Sequence, residues 1–233
     1  MGLSENNRLE DFIAVSPFNY EENCILYIPD DLPKTQIGSE QEAKCLAEQI
    51  CRLVEATHGH TLVLFTSYSL MGAVYNQVKD RLSFPLMEVW RHSQDVIHRF
   101  KQAQNAVLFA AGSCWEGVDF PGDMVSSLII VRLPFPVPGP LSEAEREQYP
   151  TLQDYIKMVV IPDMQVKLRQ GFGRAIRTET DTCVVSILDH RAAPGERYHR
   201  AVLATLPNLR LTRKIEDVEE FIRAKKGPDY FML

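Results

Sequence analysis

The amino-acid sequence predicts an α/β fold, a mainly parallel sheet flanked by helices on both faces. Two patterns predict it. Continuous apolar runs of strand length occupy 61–66, 106–110, 127–131 and 183–188, and such runs mark strands covered on both sides, as parallel sheets require. Between them lie segments whose apolar residues recur at three- and four-residue steps, the period of a half-buried helix. Strands alternating with helices build crossover units rather than hairpins. With 233 residues, 45% of them hydrophobic and 24% charged, the chain is long enough to enclose a full-sized core.

The elements follow in order. Two short apolar runs, 12–15 and 24–28, are separated by the turn-rich Ser16-Pro17-Phe18-Asn19. They predict strands of a lead-in over 1–36, packing on a domain that spans 37–233. From Ser39 the pattern is helical through Ala43, Leu46, Ala47, Ile50 and Val54, with Ser39 and Glu42 spaced as a capping box and His58-Gly59 as the stop. A strand over 61–66 and a helix over roughly 70–82 come next. A short strand over 86–90, a helix over 95–102, and strands over 106–110 and 127–131 continue the alternation. Five of the fourteen prolines (Pro134, Pro136, Pro138, Pro140 and Pro150) fall in the next stretch, which forbids a regular element until Ser142 caps a short acidic helix. A long helix over 161–176 enters the strand at 183–188. A segment over 196–206, a strand over 209–212 and an amphipathic helix over 218–225 complete the chain. No internal repeat or linker interrupts it.

Composition removes several function classes. A net charge of −6 argues against a protein that binds nucleic acid through bulk positive charge, although a local basic groove is compatible with it. Five cysteines with no C-x-x-C, and six histidines with no H-E-x-x-H, predict reduced buried thiols and no metal site. No apolar run is long enough to cross a membrane. The start of the sequence has no basic-then-apolar leader, and Asn6 stands where a myristoylation signal needs Ser or Thr. The expectation is an intracellular, cytoplasmic chain away from membranes.

Three stretches break the local rules, and such breaks are where function is expected. Thr66-Ser67-Tyr68 places hydroxyls just past a buried strand, at the edge where open α/β sheets bind ligands. Hydroxyls there suit phosphate oxygens, or Ser67 or Ser69 simply caps the following helix. Gly112 to Gly122 also follows a buried strand and gathers three glycines, the carboxylates of Glu116 and Asp119, and Trp115. That indole either faces a nucleic-acid base or packs in the core. In 164–177, Met164, Leu168, Phe172 and Ile176 form one helical face, while Lys167, Gln170, Arg174 and Arg177 form another. Gly171 and Gly173 would cost a helix interior about 1 kcal/mol each. Donors beside bare backbone suit an anion, while a solvated charged face is the ordinary alternative. Gly171-Phe172-Gly173 is not a dinucleotide fingerprint, since the third glycine is missing and a helix precedes it.

Taken together and in order, these stretches resemble the C-terminal motor-domain motifs of superfamily-two helicases, with the DinG/XPD branch the nearest match. Residues 63–68 resemble motif IV, residues 112–122 resemble motif V, and residues 170–177 match the Q-x-x-G-R-x-x-R of motif VI. Ser16-Pro17-Phe18, Leu133-Pro134-Phe135 and Leu188-Asp189-His190-Arg191 fit as flanks, so the resemblance spans about 12–191. It implies a RecA-like second motor domain, with ATP in the cleft shared with a first motor domain and single-stranded DNA running across both. Arg174 and Arg177 would be arginine fingers and Gln170 would position the nucleotide. Asp119, with Glu116, Gly117 and Gly173, would lie near the nucleotide. Thr66, Ser67, Tyr68, Ser113 and Trp115 would lie nearer the DNA. Simple geometry conflicts in one respect: a helix entering the last strand would put Arg177 at the sheet edge opposite motif V.

The sequence also departs from a complete motor. It contains no G-x-x-x-x-G-K-[ST] and no Asp-Glu-x-His, so a phosphate cradle and a magnesium ligand are lacking. Its cysteines do not reproduce the iron–sulfur spacing of this branch. The resemblance therefore implies half an engine, with ATP and Mg held mainly by a P-loop-containing first motor domain. One rival is a non-catalytic nucleic-acid-binding or protein-docking module of the same fold. Another is a small-molecule α/β enzyme, for which no nucleophile–His–acid set is present.

Overall fold

The computed structural model describes residues 18–90, 94–115, 118, 120 and 122–232. The run 12–15 lies outside them, as do Glu116, Gly117 and Asp119. A short helix α1 (Tyr20–Asn23) leads into β1 (Cys24–Tyr27). Next come α2 (Glu40–Ala56), β2 (Thr61–Phe65), α3 (Tyr68–Val78), β3 (Leu86–Val89), α4 (Gln94–Gln102) and β4 (Val107–Ala111). After β5 (Ser127–Ile130) stand α5 (Pro140–Arg146), α6 (Leu152–Tyr155) and α7 (Ile161–Phe172). The chain closes with β6 (Cys183–Ile187), α8 (His199–Leu203), β7 (Arg210–Thr212) and α9 (Ile215–Lys225).

The strands form one seven-stranded sheet in the order β3-β4-β2-β5-β6-β1-β7, and every pairing is parallel. Alternate residues of each strand enter opposite cores, as the two-residue period of a strand demands. Leu62, Leu64, Leu108 and Val185 face α4, α7 and α8, packing with Phe100, Leu168 and Val202. Val63, Phe65, Phe109 and Val184 face α2, α3 and α9, packing with Leu53, Val74 and Ile222.

Several sequence expectations need correction. β1 is hydrogen-bonded to β6 on one side and β7 on the other, so residue 37 does not separate a lead-in from the sheet. The helix expected over 161–176 ends at Phe172. Gly173 caps it, its N–H reaching the Arg169 carbonyl at 2.9 Å, and i→i+3 bonds at Arg174 and Ala175 tighten the exit. Gly139, not Ser142, is the cap of α5, with Pro140 in the first turn, where its missing N–H costs nothing. Ser142 Oγ instead accepts from Gly139 N–H and donates to Gly139 O, both at 2.8 Å. A π-helical turn, Ile156–Val160, joins α6 to α7 just before Pro162, a residue that cannot supply an N–H to a regular turn.

Ser39 does cap α2, its Oγ accepting from Glu42 N–H at 3.1 Å. The Glu42 carboxylate accepts from Gly38 N–H at 2.7 Å and pairs with both arms of Arg132. At the opposite edge of the sheet the chain end closes over the start of β2. Tyr230 stacks on His60 with ring centroids 4.0 Å apart and donates its hydroxyl to Thr57 O at 2.7 Å. Among the described cysteines, Cys24, Cys51 and Cys183 are buried, and burial pushes their thiols up, that of Cys183 to about 12.

Candidate functional site

Because all strands run one way, their C-terminal ends gather the loops at one edge. Thr66 and Ser67 leave β2 there and are exposed. Ser67 also caps α3, its Oγ accepting from Leu70 N–H at 3.3 Å, which starts that helix two residues earlier than the sequence suggests. Tyr68 stacks on Trp90 with centroids 5.5 Å apart and planes 16° from parallel. Trp90 is 44% exposed. Sequence reasoning passed over it, since an aromatic at the end of a strand is an ordinary β-former. Its signal was position alone, at the same sheet edge as Thr66.

The connection from β4 to β5 starts at this edge with the turn Gly112–Trp115. Gly112 sits at φ +64°, and a Cβ there would lie 3.0 Å from the Tyr68 hydroxyl, so this turn needs glycine on both counts. Ser113 belongs to the turn. Trp115 is 1% exposed, and its indole N–H donates to Phe65 O at 2.8 Å. Of the two readings open for Trp115, packing is correct: a ring so enclosed has no face to give a base. Its role is to tie the end of β2 to α7.

The same connection then crosses the sheet face to the other edge. Its far end is fixed where Ser126 and Ser127 N–H groups donate to His60 O at 3.0 and 3.1 Å, beside the start of β2. α7 lies along this crossing. A Cβ on Gly171 would stand 2.8 Å from the Trp115 ring, so only glycine lets the helix come so close. Past the helix, Arg174 Nη1 donates to Val118 O, and Arg177 Nη2 reaches the same carbonyl at 3.3 Å. Both arginines are half-buried. The supposed conflict over Arg177 disappears because motif V itself travels between the two edges.

Behind these arginines the backbone is anchored by Asp181. Its carboxylate accepts from the N–H groups of Arg177 and Thr178 at 2.8 and 2.9 Å and from the Thr178 hydroxyl at 2.7 Å. Gln170 and Lys167 are exposed on the last turns of α7, and Lys167 Nζ stands 5.9 Å over the Trp115 ring. The continuous stripe expected through Lys167, Gln170, Arg174 and Arg177 is therefore two sets, one on the helix and one on the loop after Gly173. Two half-buried guanidiniums meeting at one carbonyl offer fixed N–H forks, the donor chemistry that suits phosphate oxygens. Among the described residues, no group of three His, Cys, Asp or Glu side chains could hold a metal ion, and no helix is long and apolar enough to cross a membrane.

A second polar cluster lies at the C-terminal ends of β5 and β6. Asp189 Oδ2 accepts from Leu133 N–H at 2.9 Å, and the Arg191 guanidinium grips both carboxylate oxygens at 2.7 and 2.9 Å. Burial alone would raise the Asp189 carboxyl, but Arg191 holds it below the usual carboxylate range. Arg191 lies over the Phe135 ring at 4.9 Å. The flanks Leu133-Pro134-Phe135 and Leu188-Asp189-His190-Arg191 thus form one structural unit.

The family model "Helicase C-terminal domain" matches residues 50–209. The ATP-dependent DNA helicase YoaA of Haemophilus influenzae is 38% identical over 218 residues, which is 91% of this chain and 33% of that protein. The ATP-dependent helicase DinG of Mycobacterium tuberculosis (H37Ra) is 33% identical over 225 residues, 95% of this chain and 34% of that protein. The chain thus spans about a third of the length of the curated relatives it matches. A solved XPD structure in its apo form aligns with TM-score 0.64 at 24% identity, covering 84% of this chain and 40% of that one, and places the fold in the RecA-like class. With the family model spanning both the motif V crossing and the arginines that meet it, the chain belongs to the helicase C-terminal domain family, homologous to the YoaA and DinG helicases.

Proposed function

We propose that this domain is the second motor domain of an ATP-dependent DNA helicase of DinG/XPD type, working inside the cell with a P-loop-containing first motor domain. The observation that carries the reading is the meeting of Arg174 and Arg177 at Val118 O. It ties motif VI to motif V and leaves both guanidiniums half-buried rather than sealed in the core. Phosphoryl transfer depends mainly on positioning and charge stabilisation, and arginines held in this way supply both. In this reading Gln170 and Gly173 face the nucleotide, and Glu116, Gly117 and Asp119, which lie outside the described residues, are the motif V residues proposed to act with them. ATP supplies the transferable phosphoryl group when bound, and Mg belongs with it on the first motor domain.

Single-stranded DNA would cross the edge formed by Thr66, Ser67, Tyr68 and the Ser113 turn. Trp90, stacked on Tyr68, joins that set as a platform for a base, since aromatic faces hold bases without regard to sequence. Trp115 acts from beneath as a strut.

The test compares the isolated chain with a longer enzyme that carries the P-loop half. The isolated chain is expected to show no ATP turnover with or without single-stranded DNA. In the complete enzyme, Arg174→Ala or Arg177→Ala should cut turnover by about a thousandfold or more. In the isolated chain the same changes should cost about 1 kcal/mol or less, the scale of partly exposed charged contacts. Turnover by the isolated chain that Arg174→Ala abolishes would overturn the half-engine reading. Unchanged turnover in the complete enzyme would remove the finger assignment.

A further inference from the structure

Between Gly173 and the start of β6 the chain that carries Arg174 and Arg177 is neither helix nor strand, so side chains set its course. Asp181 holds it from within, through Arg177 and Thr178. A second hold comes from the far end of the sequence. Tyr20 of α1 packs its ring on Phe172, with centroids 5.7 Å apart and planes at 52°, and Phe18 backs that ring edge-on at 5.7 Å. Asn23, one turn further along α1, donates its side-chain N–H to Glu179 O at 2.9 Å. Phe172 is the last residue of α7 before the two arginines, and Glu179 stands just beyond Arg177. α1 therefore grips both shoulders of the arginine loop.

Neither propensity nor core burial accounts for α1. It has four residues and none is buried, whereas a helix standing on its own in water is marginal even at about 12–15. Asn19 caps it, its Oδ1 accepting from Glu22 N–H at 3.3 Å. The helix runs directly into β1, whose Cys24 lies opposite Cys183 of β6. That register carries α1 to the side of the loop that enters β6, where Phe172 and Glu179 receive its contacts. We propose that Tyr20 and Asn23 are positioning residues for ATP turnover, clamping the loop so that Arg174 and Arg177 keep their meeting at Val118 O. The proposal rests on the finger reading above and adds to it a helix that lies outside all three motifs. Rate depends steeply on such placement, since about 1 Å of error can cost a hundredfold.

The experiment measures ATP hydrolysis with single-stranded DNA by the complete enzyme carrying Tyr20→Ala with Asn23→Ala, alone and combined with Arg177→Ala. The expected result for the α1 changes is a fall in kcat of at least about tenfold. KM for ATP should stay within about twofold, the pattern of an interaction made in the transition state. In the Arg177→Ala background the same changes should cost proportionally less, because residues that act through one group are not additive. Tyr20→Phe, which keeps the ring, should turn over like the unsubstituted enzyme. A helix with a purely structural role would lower the melting temperature and leave kcat of the folded enzyme intact, and that result overturns the proposal. So does an equal proportional loss with and without Arg177. Should the double variant fail to fold, Asn23→Asp replaces it, keeping the side-chain shape and removing the donor. A lower kcat is expected there too, and full activity would reject the clamp. Turnover lost on Arg177→Ala but untouched by the α1 changes rejects the clamp alone, whereas full activity of Arg177→Ala rejects the finger reading beneath it.

Discussion

Asp189 is a buried carboxylate whose charge is kept by contacts already described: the Leu133 amide on one oxygen and the Arg191 fork on both. Folding lowers its pKa, so the associated stability is complete above the unfolded value of about 3.9 and is lost as pH falls through the folded value. Removing one member of a buried pair leaves the other uncompensated and costs about 3 kcal/mol. Asp189→Asn is therefore expected to unfold at lower urea than the unsubstituted chain at pH 7. The difference should shrink as pH falls below about 4. Urea melts at pH 7 and pH 3 check this, and a gap that stays constant with pH would mean that the carboxylate charge is not what matters there.

At the scale of elements, α7 and the β4–β5 connection hold each other through Gly171 and Trp115. In a free helix, replacing glycine by alanine gains about 1 kcal/mol. Here the new methyl would meet ring carbons at 2.8 and 2.9 Å, and overpacking of this kind costs about 1–3 kcal/mol. Gly171→Ala should lower the melting temperature, and a rise would show that the helix does not lie against the indole. The sequence made much of this level legible. The runs at 61–66, 106–110, 127–131 and 183–188 announce strands because burial on both faces leaves no room for polar alternation. Ser39 marks its helix start for an equally local reason. Other features have no local signal. Gly171 and Gly173 look alike in sequence, and only the nearby Trp115 ring and the turn toward β6 make one a contact and the other a stop. For Trp115, packing and ligand contact leave the same trace in a sequence, and burial decided between them. Arg174 and Arg177 could be named from their spacing. Their meeting at Val118 O depends on the path of a connection that no periodicity describes.

For the molecule as a whole, the strand order is the least local fact. β1 lies between β6 and β7, with Cys24 opposite Cys183 and Ile25 opposite Arg210, and nothing near residue 24 indicates those neighbours. Deleting residues 1–36 is expected to remove an inner strand, part β7 from the sheet, and abolish the cooperative thermal transition. A deleted chain that still melts cooperatively would make β1 dispensable.

That strand order also bears on how the chain is made. β1 leaves the ribosome well before the two strands that will flank it, which are the last two of the sheet. The gap between Cys24 and Cys183 is about 160 residues, which at about 5–20 residues per second takes roughly 8–30 s to synthesise. For that interval Cys24, Ile25, Leu26 and Tyr27 form an apolar strand with both hydrogen-bonding edges open, a template for wrong pairing with any other unfinished chain. The sheet that holds Arg174 and Arg177 in place therefore depends on keeping its first strand unpaired until its last two arrive, which makes nascent β1 a natural client for a chaperone.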